Sequence, residues 1–547
     1  MNLISIHGLE SCSNHDASIA LFEDGICTVC LPVERVTRNK HALNEHVNSD
    51  IIRKVLVYRG LTVNDIDVWL VPATWNWKKH FIDESKVVIT DEANHHLAHI
   101  AGSFYTSNFE HACCICSDGI GGRGESITLA YATRKNGIKT LKSFDFWHSQ
   151  GIYYETAANR VTGRSSEGKF MGLASWSKNE GLRPIEIDGH NRVITSRILE
   201  NLKYNKNIEN PSIDDITQEL YSYWNDEKKY LGNINYYSDS ILKYAPFAAA
   251  VQDDLDKNIL ELAKMVKKYY PEEENLCLSG GTFLNCTSNG LLDRSGLFKN
   301  IHCTSQPNDE GQAIGKGLYY LEEVLHQKTN CNGLTCFLGL DYTLDNLYEY
   351  INEDAIIVEK YNEQKIIDTL KEDGVIAWYQ GRSEVGPRAL CHRSLLASPH
   401  HADMLNKLSE NIKGREFYRP LAPVCNDNRY QDVFDDQNPE NLSQYMLKTV
   451  EVKEEWRSKV PAITHVDNTA RPQYLKKEVN PRLYRLMDNY YEETSIPCLI
   501  NTSLNAKGDP IIETPKDLLD FLRKNPLVDY CVFNGQYIIT IKDKECL

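Results

Sequence analysis

Two histidines, His95 and His99, stand four residues apart in the segment NHHLAHIAGS. On a helix, residues i and i+4 lie on the same face, so both imidazoles can reach one metal ion. Downstream, the apolar run 111–115 predicts a buried strand that ends at Asp118 in the glycine turn SDGIGG. Asp309 lies in another such loop, QPNDEGQAIG. Together these four side chains indicate a metal site with nitrogen and oxygen ligands, whereas an isolated HxxxH also occurs as a helix cap or a core histidine.

The chain of 547 residues is too long for one hydrophobic core and predicts two large domains or three smaller ones. Its net charge of −16 disfavours a large nonspecific nucleic-acid footprint, although a local basic patch stays open. Without a run of 18 apolar residues or a secretory signal in residues 1–20, we expect a cytoplasmic protein with no membrane span. The 16 cysteines fall mostly in apolar runs, which indicates buried, reduced thiols.

The N-terminal segment predicts a strand at 3–6 and then a hairpin of strands 18–22 and 26–33 around an Asp-Gly turn. The loop before this hairpin carries His15 and Asp16. This arrangement resembles the ribonuclease-H-like ATPase fold, in which the first hairpin loop meets phosphates. A plain loop histidine is the alternative for His15.

Three cations, Arg35, Arg38 and Lys40, follow in the segment ERVTRNKH. A charge cluster of this size predicts a solvated face. The next segment, residues 49–58, has the apolar periodicity of a helix.

Two glycine-containing segments are candidates for contact with phosphates. Lys169 lies in GRSSEGKFMGLAS, a Gly/Lys loop that is not a Walker motif. The strand predicted at 276–278 runs into SGGTFLNC, where the backbone N–H groups of Gly280 and Gly281 can meet a nucleotide and Asn285 begins a helix. A tight turn without a ligand is the alternative for this second segment.

Beyond a boundary near 335–360, the cations between Arg382 and Arg419 outnumber the acids, and Pro and Gly break the segment into loops. Clustered arginines on ordered loops suit a small phosphorylated or carboxylated ligand. A surface-exposed basic stretch is the alternative. The strand predicted at 497–500 ends in NTSLNAKGDPI, which places Ser503 and Asn505 at its end.

Ten motifs, in this order, resemble the NodU/CmcH family of O-carbamoyltransferases: HDAS, ERVTRNKH, HHLAH, SDGIGGRGES, GKFMGLAS, SGGTFLNC, NDEGQAIG, GRSEVGPRAL, IKGREFYRP and NTSLNAKGDP. The resemblance covers nearly the whole chain and implies an α/β fold with two domains. Residues 1–350 would form an ASKHA domain, ribonuclease-H-like and similar to the tRNA threonylcarbamoyl-transfer subunit. Residues 351–547 would form a YrdC-like domain. Cys391 and His392 stand where the family has Gly and Asn.

The resemblance implies an enzyme that makes carbamoyl adenylate from carbamoyl phosphate and ATP in the YrdC-like domain. The intermediate would pass inside the protein to the N-terminal site, where an acceptor hydroxyl takes the carbamoyl group. A divalent metal, iron(II), manganese or zinc, is implied, with magnesium beside ATP. The acceptor would be a sugar, a natural product or a hydroxymethyl group on a nucleobase. Nucleic acid would therefore be a partner only as the acceptor substrate. The protein would be a monomer or a homodimer.

The family motifs also imply roles for individual residues. The metal ligands would be His95, His99, Asp118 and Asp309. His15 would be the general base, Asp16 would orient it, and Lys40 would line the acceptor side. The adenylate would be held by Lys169, Gly280, Gly281 and Asn285. The carbamoyl phosphate and ATP pocket would contain Arg388, Lys413, Arg419, Ser503 and Asn505. We expect residues 203–245, a polar insertion, and Trp75–Phe81 to wall the acceptor pocket.

Two other functions fit parts of the pattern. A tRNA threonylcarbamoylation-type enzyme would need a broad basic face, which the charge of −16 disfavours. A non-catalytic nucleotide-binding module of the ASKHA type would not need the metal set or His15.

Overall fold

The computed structural model describes residues 1–8, 15–163, 166–179, 238–351 and 355–542. Most of the expected insertion, residues 203–237, lies outside this range. No helix of the described residues is both long and apolar enough to cross a membrane. The cysteines of these residues are free and buried, as predicted.

Two pairs of cysteines, Cys27 with Cys30 and Cys113 with Cys116, have C-x-x-C spacing. Both pairs lie inside strands. Cys113 and Cys116 point to opposite faces of their strand and pack in different cores. A bulge between the two strands of the first hairpin places Cys27 and Cys30 in the same core, where burial raises the pKa of both thiols and keeps them protonated.

The N-terminal half contains two five-stranded sheets. Their strands are β1 Asn2–His7, β2 Ser18–Glu23, β3 Ile26–Pro32, β4 Val68–Pro72, β5 Val87–Thr90, β6 His111–Ser117, β7 Glu125–Thr133, β8 Gly137–Asp145, β9 Asn275–Ser279 and β10 Asn300–Cys303. The orders are β3-β2-β1-β4-β5 and β10-β9-β6-β7-β8. In each sheet three strands form an antiparallel meander, and two more run parallel to the first strand on its other side. This repeated topology agrees with the expected ribonuclease-H-like fold.

The first hairpin shows how local sequence sets this architecture. Asp24 and Gly25, between β2 and β3, have φ values of 49° and 78°. Two successive positive φ values belong to the type I′ turn, whose twist matches that of the flanking strands. The predicted hairpin and its Asp-Gly turn are therefore confirmed.

The helices His95–Phe104 and Gln312–Tyr319 pack against each other, the first against β6 and β9 and the second against β1 and β2. A Cβ atom at Gly315 would lie 2.2 Å from the carbonyl oxygen of Ala98. Only glycine permits this separation, so the close helix contact depends on Gly315.

The C-terminal half is built on one large mixed sheet and a small antiparallel one. Its strands are β11 Ile356–Lys360, β12 Val375–Tyr379, β13 Arg393–Ala397, β14 Pro423–Asn426, β15 Phe434–Asp435, β16 Val450–Val452, β17 Thr469–Ala470, β18 Gln473–Leu475, β19 Cys498–Ser503, β20 Tyr530–Phe533 and β21 Tyr537–Ile541. The large sheet has the order β11-β21-β20-β12-β13-β19-β14-β18, and the small one β15-β16-β17. The α/β class expected for this half is confirmed.

The described α-helices agree closely with the periodic segments of the sequence; Ser49–Tyr58, for example, has the predicted bounds. The others are Val33–Thr37, His95–Phe104, Gln150–Thr162, Glu167–Ala174, Ala245–Tyr269, Cys286–Arg294, Gln312–Tyr319, Leu344–Tyr348, Glu363–Lys371, Asp403–Leu405, Asp427–Val433, Glu454–Arg457, Pro481–Thr494 and Pro515–Lys524.

The expected solvated face at ERVTRNKH is wrong for Arg35 and Arg38, whereas Lys40 is exposed. Arg35 is buried, and its Nη2 donates to the carbonyl oxygen of Gly386 at 2.8 Å. Arg38 donates from both terminal nitrogens to the carbonyl oxygens of Pro510 and Ile511, each at 2.8 Å. The guanidinium fork can satisfy several backbone acceptors at once, so this charged segment joins the two halves instead of facing water.

A buried ion cluster also joins the halves. Lys448 is fully buried and lies 2.7 Å from Asp293 and 2.8 Å from Asp436. Its third donation goes to the carbonyl oxygen of Asn438 at 2.8 Å. The ammonium therefore uses all three protons, and the two carboxylates share one cation.

We expect Lys448→Met to destabilise the protein by about 3–5 kcal/mol, because two buried carboxylates lose their cation. Urea unfolding followed by circular dichroism measures the loss. Lys299→Met, at an exposed lysine 3.7 Å from Glu274, is the matched control and should change stability little. Equal stability of the two variants would contradict the structural role of Lys448.

Candidate functional site

The four side chains expected to bind a metal lie together. One ligand atom from each of His95, His99, Asp118 and Asp309 falls within 4.8 Å of the other three. The Nε2 atoms of both histidines lie 3.2 Å from Oδ2 of Asp118. Oδ1 of Asp309 is 3.2 Å from Nε2 of His99 and 3.4 Å from that of His95.

Backbone geometry fixes Asp118. Gly280, with φ 93°, brings the SGGT turn so close to β6 that a Cβ would lie 2.2 Å from the carbonyl oxygen of Ser117. The backbone N–H of Gly281 then donates to Oδ1 of Asp118 at 3.0 Å. Gly281 was expected to face a nucleotide; in the structure its N–H holds the Asp118 carboxylate, which leaves Oδ2 towards the histidines.

The protonation of this group is consistent with a cation site. Burial would lower the pKa of His95, but the neighbouring carboxylates of Asp309 and Asp118 outweigh it and raise the pKa to about 10. Burial would raise the pKa of Asp118, yet the histidines lower it below its ordinary value. The two carboxylates thus favour the protonated, positively charged form of both imidazoles. A divalent ion that accepts nitrogen and oxygen ligands fits the same donors in place of the protons.

His7, at the end of β1, was not predicted to lie near this group. It is buried, and its Nε2 lies 3.8 Å from Oδ2 of Asp309. Burial lowers its pKa, which keeps the ring neutral. Its position at the end of an apolar strand was the only signal in the sequence.

The expected base and its partner are neighbours. Nδ1 of His15, whose side chain is half exposed, lies 3.3 Å from Oδ2 of the buried Asp16. A further histidine, His41, lies 3.1 Å from the other oxygen of Asp16 and was missed because only the fold brings it there. Asn308, beside the metal-site Asp309, donates to Oδ2 of Asp16 at 3.3 Å. This contact connects the His15 region with the metal-ligand group.

Asn285 and Lys169, both expected to hold the adenylate, contact other side chains of the protein. Asn285 caps the helix Cys286–Arg294 by accepting from the N–H of Ser288 at 3.0 Å, and it exchanges two hydrogen bonds with Gln252. Residues 167–174, expected as a Gly/Lys loop, form a helix. Lys169 on that helix lies 3.1 Å from Glu416 of the C-terminal half.

Three of the five residues expected in the second pocket make direct contact. Nζ of Lys413 donates to Oγ of Ser503 at 3.1 Å and to the carbonyl oxygen of Asn505 at 2.8 Å. It also contacts the carbonyl oxygen of Ser503 and Oδ1 of Asn505. Burial and the neighbouring Arg415 lower the pKa of Lys413 well below its ordinary value.

A cavity beside this lysine is lined by both halves of the chain. Gly172, Cys286 and Thr287 contribute from the N-terminal half. The cationic lining comprises Arg388, Arg415, Arg419 and Arg471. Burial and repulsion from Arg471 lower the pKa of Arg388 to about 9, and among the described residues its Nε has no hydrogen-bond partner. Such a surplus of buried positive charge suits an anionic ligand.

Arg388 and Arg419 were expected in this pocket, and Arg415 belongs to the basic segment predicted to bind a phosphorylated or carboxylated ligand. Arg471 and Asn501 also line the cavity and were not predicted. Nδ2 of Asn501 donates to Oε1 of Gln473 at 2.7 Å and to the carbonyl oxygen of Ala389 at 3.0 Å. The amide is therefore held in one orientation.

The two departures from the family motif, Cys391 and His392, follow Arg388 and Ala389, which line the cavity. Cys391 keeps a left-handed backbone, φ 72°, which favours glycine. Its Sγ lies 3.1 Å from Oε1 of Gln473. His392 stacks on Phe337 with ring centroids 3.6 Å apart, and burial lowers its pKa to about 4. The backbone thus retains a glycine-like conformation despite the substitution.

Trp75, at the start of the expected acceptor wall, is buried and donates Nε1 to the carbonyl oxygen of Val47 at 2.8 Å. Phe81, at the other end, is 93% exposed. Lys40 is exposed. Their contact with an acceptor stays a prediction.

Comparison with known families matches both halves. The family model for the carbamoyltransferase N-terminus matches residues 77–318, and the model for the carbamoyltransferase C-terminus matches residues 367–540. The chain belongs to the carbamoyltransferase family. The expected family and the expectation of an enzyme are thereby confirmed, and the non-catalytic module is disfavoured.

Relatives align along most of the chain. An uncharacterized protein of Synechocystis is 28% identical over 95% of this chain and 94% of its own length. The nodulation protein NolNO of Sinorhizobium fredii is 27% identical, covering 96% and 79%. A 3'-hydroxymethylcephem-O-carbamoyltransferase of Amycolatopsis lactamdurans is 32% identical, covering 59% and 61%. Full-length HypF aligns with a TM-score of 0.33 at 14% identity, covering 60% and 56%, which is too low to support a conclusion.

We expect His99→Ala to weaken divalent-metal binding by about 10- to 100-fold or more. Loss of a group that only hydrogen-bonds to a metal ligand already has an effect of that size, and His99 would be a ligand itself. The ion would lose one of four donors and gain no replacement. Competition with a metal-sensitive dye, using iron(II), manganese and zinc in turn, measures the change. His400→Ala, at an exposed surface histidine, is the control. Equal affinities in both variants would exclude His99 as a ligand.

Proposed function

We propose that the protein is an ATP-dependent O-carbamoyltransferase that forms carbamoyl adenylate and transfers its carbamoyl group to an acceptor hydroxyl. The observation that carries this proposal is a cluster of cations, the buried Lys413 and the half-buried arginines Arg388, Arg415 and Arg419, at a cavity lined by both halves of a carbamoyltransferase-family chain. A metal-ligand group and a half-exposed histidine lie in the N-terminal half. Two sites with different chemistry suit a reaction in two stages.

In the first stage, water cleaves carbamoyl phosphate to carbamate and phosphate. A carbamate oxygen then attacks the α-phosphorus of ATP and expels pyrophosphate, which leaves carbamoyl adenylate. Lys413 and the arginines would neutralise the phosphate oxygens and hold attacking and leaving groups in line. Because burial and mutual repulsion depress the pKa values of Lys413 and Arg388, an arriving polyanion would be bound strongly there.

In the second stage, the acceptor oxygen attacks the carbamoyl carbon, the C–O bond to AMP breaks, and the hydroxyl proton leaves. Nε2 of His15 would take that proton, because Nδ1 faces Asp16. His95, His99, Asp118 and Asp309 would hold a divalent ion. When bound, that ion would supply positive charge to stabilise oxygens that become negative as AMP departs.

The acceptor class follows from the relatives. One relative is named for transfer to a hydroxymethylcephem, and others are nodulation proteins. A small molecule with a free hydroxyl, a sugar or a natural product, is therefore the proposed acceptor. A hydroxymethyl nucleobase stays a second candidate within the same chemistry.

Incubation with ATP, carbamoyl phosphate and a divalent metal, without acceptor, should yield carbamoyl adenylate and pyrophosphate by mass spectrometry. We expect Lys413→Ala and Ser503→Ala to reduce the rate about 100-fold or more, since positioned donors to developing charge contribute that much. Lys360→Ala, at an exposed lysine, is the control. If wild-type protein binds ATP but forms no adenylate with any of the metals, the proposed first stage is wrong.

A further inference from the structure

One carboxylate in the N-terminal half serves two imidazoles. Oδ2 of Asp16 lies 3.3 Å from Nδ1 of His15, and Oδ1 lies 3.1 Å from Nδ1 of His41. An ionised carboxylate only accepts hydrogen bonds, so each ring donates from Nδ1. In each neutral ring, Nε2 is then the atom that can take a proton. His15 and His41 thus each donate a hydrogen bond from Nδ1 to the same carboxylate.

His41 is held to Asp16 by its backbone as well. The N–H of Asp16 donates to the carbonyl oxygen of His41 at 2.6 Å, and the N–H of His41 donates to Oε2 of Glu34 at 2.8 Å. Left-handed φ values occur at Asp16, Arg38, His41, Ala42 and Asn44. A left-handed backbone at a non-glycine residue is strained and persists only where surrounding contacts enforce it, which occurs most often at functional sites.

The segment that carries His41 is anchored on the C-terminal half. Arg38 donates to the carbonyl oxygens of Pro510 and Ile511, and Arg35 to that of Gly386. Nε of Arg38 also lies 3.6 Å from Asp517. The position of His41 against Asp16 therefore depends on contacts made by both halves of the chain.

We propose that His41 is a positioning residue for His15: it holds the second oxygen of Asp16 and shares the charge of that carboxylate with His15. This inference rests on the role of His15 in the proposed function. If Asp16 served His15 alone, it would stabilise the imidazolium and keep the base protonated. A cationic His41 on the other oxygen opposes this, so Nε2 of His15 loses its proton at a lower pH than it would beside Asp16 alone.

The charges around His41 support this role. Asp16 before β2, Glu34 on the helix Val33–Thr37 and Glu167 on the helix Glu167–Ala174 face it, while Lys40 precedes it in the chain. The hydrogen bond to Asp16 raises the pKa of His41 above its ordinary value despite burial and Lys40. The separate hydrogen bond between His15 and Asp16 raises the pKa of His15 to about 9, and the nearby carboxylates of Asp309 and Asp118 add to this rise. Two imidazoles that each titrate against Asp16 must influence one another.

The test follows the titration of His15 by NMR in the full chain with labelled histidine, without nucleotide or acceptor. Loss of one signal in His15→Gln assigns the residue. His41→Asn keeps an N–H that can donate to Asp16 but removes the ring charge. We expect the His15 pKa to rise by about half a pH unit or more, as removal of a nearby like charge requires. Asp16→Asn should lower it.

His41→Gln provides a second variant in case His41→Asn is poorly folded. His401→Asn is the matched control, because His401 lies 3.6 Å from Asp373 in a surface His–Asp pair. An unchanged His15 titration in both His41 variants would overturn the inference. The adenylate assay separates the two proposals: absence of adenylate in wild-type protein counts against the proposed function, whereas adenylate formation with an unshifted His15 counts against the role of His41 alone.

Discussion

The close contact between the helices His95–Phe104 and Gln312–Tyr319 determines the N-terminal half. Gly315 meets the backbone of Ala98 at a distance that no side chain permits. Each helix packs on a different sheet, so their contact sets the distance between the sheets. Asp309 lies three residues before the second helix and thereby reaches His99, 210 positions away in the chain. A metal-ligand group assembled from three distant segments thus depends on one missing methyl group.

The two sites differ in charge, and this difference has a physical consequence. In the N-terminal group, carboxylates and imidazoles compensate one another by hydrogen bonds. Around Arg388 and Lys413 the cations exceed nearby acids, and burial adds to their mutual repulsion. An uncompensated buried charge is costly, so the second site gains more from an anionic ligand than a solvated arginine patch would. ERVTRNKH joins the two regions, since its arginines contact the C-terminal half and His41 contacts Asp16.

Local signals predicted local structure well. The Asp24-Gly25 turn, the helix Ser49–Tyr58 and the strand before Asp118 follow from turn chemistry and periodicity. The grouping of Asp309 with His99 was predicted from the ligand chemistry of the two loops and from the family resemblance, because no local rule links residues so far apart. His7 carried only the signal of its place at the end of an apolar strand, and His41 only its place in ERVTRNKH, since the partners of both are set by the tertiary fold. Lys169 lies on a helix because Phe170, Leu173 and Ala174 bury one face, which outweighs the helix-breaking tendency of its glycines.

The wrong expectation for ERVTRNKH has a specific cause. A run of cations faces water unless the protein supplies hydrogen-bond acceptors for it. The acceptors of Arg35 and Arg38 are backbone carbonyl oxygens more than 350 positions away in the chain, so a local sequence pattern does not indicate them. The same segment contains two left-handed residues, Arg38 and His41. This segment thus departs from two local preferences: its arginines are removed from water, and its backbone adopts left-handed conformations. Both departures occur where the two halves meet. Such violations persist only when the complete fold compensates them, and here the compensating contacts are those of His41 with Asp16 and of Arg38 with the C-terminal half.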